Sequence, residues 1–584
     1  MNSRKYKDNF YKVREIRDLR ELIKGSVEKR KSYPAFLVKD TSGGEYKPIS
    51  YSKFDADIDG LGTSLIDMGL LDSKIAIIGE NSYEWVVAYL AVTNGTGVVV
   101  PIDRELHPKE IAHLIKRSGA NVIVHSTKMK KAVDEVLAYV RNVEYVIDMA
   151  AADDTEDRLS MMKLIEKGNR LMAAGDRRFT DAEIDPDVMC ALLFTSGTTG
   201  MAKGVMLSHK NIAANVYNMS QYVDIIEEGV GLSVLPMHHT YELTCHIFTG
   251  LYQAITLAIC EGLKHIQKNM VESRATVMLS VPLIFETMHK KIWKKLEANG
   301  SAGKARRMIS ISKKLKLYNH DKLIRRIFKE LHEQTGGRMV QFIAGGAAID
   351  PRVIEDYEAM GIPMIQGYGM TENSPIIAVN RDCYSKAASV GQPMPNTEVR
   401  IIDPDENGMG EIICKGPSVM LGYYNDPVAT KETIKNGWLY TGDYGYMDEE
   451  GYLYISGRKK NVIVTKNGKN VFPEEVEFCL TESQYIQEAL VHGIEDERTG
   501  DIIIKAEIFP DYENISEQKG DIDEDGLKEL LKIVIDDINE EMPLYKRVRR
   551  FGIRKEEFSK TTTRKIKRYN AENKSREGQE DVKC

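Results

Sequence analysis

The chain of 584 residues is 42% hydrophobic and 29% charged, with a net charge of −7. That much apolar material fills more than one core and excludes a disordered polypeptide, and the negative balance argues against a dedicated nucleic-acid binder. Seven cysteines with no Cys-x-x-Cys pair argue against a disulfide framework or zinc site and fit a reducing cytoplasm.

Residues 10–31 set Phe10, Val13, Ile16, Leu19, Leu22 and Ile23 at helical spacing, which predicts a docked surface helix, with a membrane-touching face as the alternative. From 72 to 150, short β-branched runs alternate with helical patterns: Lys74–Ile78, Tyr83–Val92, Gly97–Val100, Pro108–Arg117 and Asn121–Val124. Alternation of this kind implies βαβ units and a mostly parallel sheet. Trp85–Val100 is the most apolar stretch, but Thr93-Asn94-Gly95-Thr96-Gly97 breaks it, so helix, turn and strand are expected rather than a membrane span.

Met189–Phe194 reads as a buried strand and Val205–Leu207 as a second one. Between them runs Thr195-Ser196-Gly197-Thr198-Thr199-Gly200-Met201-Ala202-Lys203-Gly204. Glycines let backbone N–H groups converge on one point, hydroxyls add donors and Lys203 adds positive charge, so this hairpin loop suits a nucleotide triphosphate. It is not the P-loop of common NTPases, which needs Gly-x-x-x-x-Gly-Lys-Ser/Thr opening a helix.

A second alternating stretch is expected from Ala254 to about Ile377. Within it, residues 290–329 carry fourteen Lys or Arg against Glu297 and Asp321, in a helical pattern interrupted at Asn299-Gly300. A solvated helical face, contact with an anionic membrane and contact with CoA phosphates are all open readings of that segment. Residues 398–456 turn strand-rich at Glu398–Ile402, Gly410–Lys415 and Tyr452–Ile455. Asp521-Ile522-Asp523-Glu524-Asp525-Gly526 opens like an EF-hand, but Lys532 at position twelve cannot chelate calcium, so an acidic turn before a helix Leu527–Ile538 is expected.

Four further features fix a resemblance. Gln366-Gly367-Tyr368-Gly369-Met370-Thr371-Glu372 follows the strand-like Pro363–Ile365. Trp438-Leu439-Tyr440-Thr441-Gly442-Asp443 and Gly457-Arg458-Lys459-Lys460 come next, and Thr562-Thr563-Arg564-Lys565-Ile566 lies near the C-terminus. With the 195–203 loop, this order resembles the adenylate-forming superfamily of acyl-CoA synthetases, peptide-synthetase adenylation domains and luciferases, over roughly residues 30–568.

The resemblance implies an α/β chain with a large N-terminal AMP-binding domain, 1–457, made of two βαβ-type sheet subdomains and a strand-rich subdomain. It implies a hinge at 458–460 and a small mobile α+β domain at 461–568; the polar composition of 569–584 predicts a disordered tail. The resemblance also implies ATP, Mg²⁺ and CoA. Thr195, Ser196, Gly197, Thr198, Thr199, Gly200 and Lys203 would hold the β- and γ-phosphates, and Thr195 and Glu372 the Mg²⁺. Tyr368 would lie against adenine, Gly345, Gly346 and Ala347 would let the purine approach the backbone, and Gln366, Gly367 and Thr371 would also bind the nucleotide. Asp443 would accept from the ribose hydroxyls, Arg458 would meet ribose or phosphate, and Lys460 would be the pivot. Lys565 would be the catalytic lysine beside Lys203 and Glu372, and His239 would border the acyl site. The 461–470 segment with Gly468 would shape the pantetheine tunnel.

His238, His239, Cys245 and His246 suggest a metal by composition, but the Pro236-Met237-His238-His239 setting resembles the family's acyl-site segment instead. Two positions depart from the family. Arg564 stands where glycine is usual, as in many members acting on long acyl chains, and Leu283 in Val281–Glu286 stands where the long-chain branch usually has arginine. The expected activity is ATP-dependent conversion of a fatty acid, long-chain by preference, to acyl-AMP and then to acyl-CoA. Ligation to acyl-carrier protein, aryl-acid CoA ligation and a catalytically inactive nucleotide-binding regulator are the alternatives. The expected partners are a small carboxylic acid, ATP and CoA, with no nucleic acid. Peripheral membrane contact through 290–329 is a further possibility in a cytoplasmic protein.

Overall fold

The alternating runs between residues 72 and 150 fold as a parallel sheet. The computed structural model describes residues 10–583 except 41–42, 96, 196–201, 225, 227, 318–320, 383, 466–468, 497–500, 562–564 and 569–581. Ser196 to Gly200, Gly468 and Arg564 therefore lie outside the described residues. The chain divides into two compact units. One comprises Met1–Val399, Cys414–Leu439 and Glu449–Leu453, and the other Arg400–Ile413, Tyr440–Asp448 and Tyr454–Cys584.

The first unit contains two large sheets. In the eight-stranded sheet, Gly97–Ile102, Ser73–Ile78, Val122–His125 and Tyr145–Asp148 are neighbours in parallel. Ile75 to Ile78 are fully buried, as expected for strands covered on both faces. The helix Tyr83–Thr93 starts where Ser82 accepts from the Trp85 amide, and it is buried all round. Among the described residues no helix is long and apolar enough to cross a membrane.

The nine-stranded sheet has a parallel centre made of Thr256–Ile259, Val230–Ser233, Val277–Ser280, Gln341–Gly345 and Met364–Gly369. It reaches beyond the stretch expected from sequence. Val230–Ser233 lies inside it, and Pro34–Val38 near the start of the chain pairs in parallel with Thr256–Ile259. A five-residue apolar run carries no mark of the sheet it will join.

The helix expected over 10–31 begins only at Leu19. Asp18 accepts from the Glu21 amide, and Glu21 accepts in return from the Arg17 amide, so the first turn is fixed there. Phe10 instead lies against Tyr222 at 5.5 Å, with the Arg381 guanidinium over both rings. The basic segment folds as Pro282–Ala298, Ala302–Leu315 and Asp321–Ile327, broken at Asn299-Gly300 as expected.

The second unit has a four-stranded sheet in the order Ile486–Glu495, Ile502–Pro510, Val548–Ile553, Val582–Lys583. The helices Pro473–Thr481 and Glu524–Glu541 share its core. Asp523 caps the second of these helices by accepting from the Gly526 amide, so the acidic turn is a helix start. At the far end of the chain, Val582–Lys583 pairs antiparallel with Arg550 and Phe551. The edge of Val548–Ile553 offers backbone groups that these two residues can pair with.

Candidate active site

In the first unit, Met189–Thr195 and Lys203–Ser208 form the expected antiparallel hairpin, with Thr195 opposite Lys203 where the loop leaves the sheet. Two contacts hold this end. Arg117 donates to the Ala202 carbonyl at 2.5 Å and lies over the Phe194 ring. The Tyr424 amide donates to the Gly204 carbonyl at 2.7 Å. Gly422–Tyr423 adds to the hairpin as a further antiparallel strand, with Tyr423 opposite Val205.

That strand brings in a residue the sequence motifs do not include. The Lys203 ammonium lies 4.6 Å from the centre of the Tyr423 ring, and the Tyr423 hydroxyl donates to Glu372 Oε1 at 2.8 Å. One phenol thus links the loop lysine to the motif carboxylate. Burial, and then the Glu372 charge, raise the Tyr423 pKa well above its usual value, so it remains a donor. Its sequence signal is only a tyrosine one residue after a glycine.

Glu372 lies in the short turn Thr371–Asn373, directly after the strand Met364–Gly369. Asn215 donates to the Asn373 carbonyl and the Met420 amide to the Glu372 carbonyl, so the turn is held from two sides. Gly345 and Gly367 are partners across parallel strands, which sets the Gly345-Gly346-Ala347 end beside Gln366-Gly367-Tyr368. A Cβ on Gly345 would come within 2.6 Å of the Tyr241 ring, and Gly346 has φ +87°. Both positions therefore need glycine. Gln366 is buried and donates to the Ala387 carbonyl at 2.7 Å, while Tyr368 is half-buried.

His239 precedes the turn Thr240–Glu242, its ring 4.1 Å from that of His238. Burial, aided by Arg104, pushes His238 down to about 3, so it is neutral. His246 Nδ1 is 2.9 Å from Glu242 Oε1. Among the described residues no three His, Cys, Asp or Glu side chains converge as a metal site.

In the second unit, Arg458 Nε is 2.8 Å from Asp443 Oδ1. The Asp443 amide donates to Thr441 Oγ1, which donates in turn to the Ile412 carbonyl. Lys565 belongs to a tight reversal in which Thr561 N donates to the Lys565 carbonyl at 2.8 Å and Lys565 N donates to Thr561 Oγ1 at 3.1 Å. Its ammonium pKa is lowered by desolvation and then by Arg458, against the opposing pull of Asp443. Lys560 is occupied elsewhere, ion-paired with Glu488 and with Glu557. Lys460 lies in the short turn Lys459–Asn461, flanked by Lys459 on Glu411 at 2.6 Å and Asn461 on Glu474 at 2.6 Å.

A family model for AMP-binding enzymes matches residues 23–424, and one for the AMP-binding enzyme C-terminal domain matches 460–577. The chain belongs to the AMP-binding enzyme family. Among curated relatives, a long-chain-fatty-acid–CoA ligase of Escherichia coli O6:H1 is 28% identical over 468 residues, 74% of this chain and 75% of its own. The chloroplastic long-chain-fatty-acid–[acyl-carrier-protein] ligase AEE15 of Arabidopsis thaliana is 27% identical, over 78% of this chain and 72% of its own. Among solved structures, O-succinylbenzoate coenzyme A synthetase from Bacillus subtilis in complex with AMP superposes with a TM-score of 0.70 at 21% identity, covering 94% of this chain and 96% of that one. The anthranilate CoA ligase AuaEII with anthranoyl-AMP gives 0.73 at 18% identity, covering 97% and 98%. This AMP-binding enzyme therefore has the adenylate-forming fold, with a large N-terminal and a smaller C-terminal domain.

The side chains of this AMP-binding enzyme suit charge neutralisation rather than nucleophilic attack. Thr195 and Glu372 are hard oxygen donors of the kind Mg²⁺ selects. Asp443 and Arg458 form a carboxylate–guanidinium pair at 2.8 Å, and Lys203 and Lys565 carry positive charge.

Proposed function

We propose that this enzyme activates a long-chain fatty acid as its acyl-adenylate, releasing pyrophosphate from ATP, and then transfers the acyl group to CoA with release of AMP. A carboxylate is a poor electrophile, because attack would add negative charge to an anion. Linking it to the α-phosphate supplies a leaving group. The cost of bringing a carboxylate to a phosphate is electrostatic, and fixed positive groups lower it.

The observation that carries this reading is the Tyr423 phenol, which donates to Glu372 at 2.8 Å and carries the Lys203 ammonium on its ring at 4.6 Å, so that the loop lysine stands beside the motif carboxylate. Asp443 binds the ribose hydroxyls and Arg458 orients it, so Lys565 meets the α-phosphate and the incoming carboxylate together. Lys203 neutralises the departing pyrophosphate. Thr195 and Glu372 hold Mg²⁺, which when bound screens the phosphate charge. Gly345 and Gly346 let the purine approach the backbone, with Tyr368 against its face, and His239 borders the acyl chain. Lys460 is the pivot between an N-terminal domain at 1–457 and a mobile domain at 461–568.

The long-chain preference is supported by relatives named as long-chain ligases or synthetases in Escherichia coli and Arabidopsis thaliana. The acyl-carrier-protein ligase among them favours one second reading, in which the acceptor thiol is carried on a protein. Exchange of labelled pyrophosphate into ATP, across carboxylic acids of rising length, tests the first half-reaction. CoA and acyl-carrier protein as competing acceptors test the second. No exchange with any acid would overturn the proposal.

A further inference from the structure

The helix Ala302–Leu315 has two unlike faces. Ala305, Ile309 and Ser312 are buried, and Ser312 donates to the Ala359 carbonyl at 2.7 Å. The opposite side carries Lys304, Arg307, Ile311, Lys314 and Leu315, which share an arc of about 100° on an α-helix. Ile311 is 37% and Leu315 61% exposed. The next helix, Asp321–Ile327, adds exposed Lys322 and Arg326 around Leu323, which is 48% exposed.

Cations nearer the protein have partners. Arg306 meets Glu297 at 3.3 Å, and Lys313 meets Glu355 and Asp356 at 3.1 Å each. Lys304, Arg307, Lys314, Lys316, Lys322 and Arg326 have no ion pair among the described residues. A chain of net charge −7 thus concentrates unneutralised positive charge on the exposed sides of two successive helices.

We propose that this face docks the protein on an anionic phospholipid surface. A purely phosphate-bearing polyanion would answer the cations but leave Ile311, Leu315 and Leu323 in water. A lipid interface answers both, since its headgroups are negative and its acyl boundary takes branched aliphatic side chains. The buried stripe on the other side keeps the helix attached to its own core, so contact is shallow. The inference stands apart from the acyl substrate, and vesicle binding is read without turnover.

Co-sedimentation of the full chain with phosphatidylcholine vesicles, with and without phosphatidylglycerol, tests it. The protein should pellet with the anionic vesicles only, and high salt should release it. Lys304→Gln/Arg307→Gln/Lys314→Gln should lower the partition coefficient by about 100-fold at low salt. Ile311→Ser/Leu315→Ser should lower it by about tenfold while keeping the salt dependence. Both variants change exposed positions and should melt as the parent does, which thermal unfolding checks. No pelleting with anionic vesicles, or an unchanged triple variant, would overturn the proposal. So would binding to single-stranded nucleic acid as tight as to vesicles and indifferent to Ile311→Ser/Leu315→Ser, which would identify a polyanion site instead.

Discussion

Tyr423 and Glu372 are joined by a hydrogen bond of 2.8 Å, and the same phenol carries the Lys203 ammonium on its face at 4.6 Å. The arrangement makes Tyr423 a positioning residue for the proposed metal carboxylate. Hydrogen bonds to charged groups contribute about 1.5–3 kcal/mol. Tyr423→Phe should therefore slow pyrophosphate exchange roughly 10- to 100-fold and raise the Mg²⁺ concentration at half-saturation. Tyr423→Ala should cost more, because the ring beneath Lys203 goes as well. A Phe variant with parental Mg²⁺ dependence would leave the hydrogen bond without a role.

Lys565 and Lys560 should separate cleanly. Lys565→Ala should abolish acyl-adenylate formation and leave CoA transfer from supplied acyl-adenylate largely intact. Lys560→Ala strands the nearly buried Glu488, so its main effect should be a lower melting temperature. Stopped adenylation in Lys560→Ala with normal melting would reverse the assignment.

The lowered pKa of Lys565 sets a pH dependence for the first half-reaction. The ammonium is the working form, so activity should fall as pH rises through its pKa. That limb of kcat/KM should lie below the ordinary lysine value of about 10.4. Asp443→Asn removes the group that favours the charged form and should move the limb lower. Arg458→Gln removes a repelling cation and should move it higher. A limb that stays put in both variants would show that another group is titrating.

Glu477 offers a test in stability rather than activity. Its carboxyl is buried beside Arg568 and accepts from the Val491 amide, and burial pushes it up to about 7 despite Arg568. The folded state then holds a proton that the unfolded state, near about 4.3, releases. Stability should be fullest below the unfolded value and decline as pH rises from about 4.3 to 7. Glu477→Gln should flatten that decline in thermal unfolding. An identical slope in parent and variant would assign the loss to other groups.

Lys460→Pro should impair thioester formation more than adenylate formation, because proline fixes the torsion that the proposed pivot must change. Single-turnover assays of the two half-reactions give the comparison. Equal losses in both would place the pivot elsewhere.

Much of the architecture could be read along the chain. The parallel sheets follow from β-branched runs alternating with helical periods, and the 189–208 hairpin from two apolar runs around a glycine- and hydroxyl-rich loop. The break at Asn299-Gly300 was equally local. The misplaced features were those whose outcome depends on distant partners. One is the start of the helix, which falls at Leu19 rather than near Phe10; the entry of Pro34–Val38 into the second sheet, which no local pattern announces, is another of the same kind.

The sequence by itself determined which chemical groups the molecule carries, and that one order of motifs holds Thr195, Lys203, Glu372, Asp443, Arg458 and Lys565. Only the tertiary structure decided which of them meet. It brought Tyr423 between Lys203 and Glu372, paired Gly345 with Gly367, committed Lys560 to Glu488, and left Lys565 under the influence of Asp443 and Arg458. Composition and short-range periodicity are properties of neighbouring residues. Contacts between positions tens to hundreds of residues apart arise from strand register and side-chain packing, which exist only once the chain has folded.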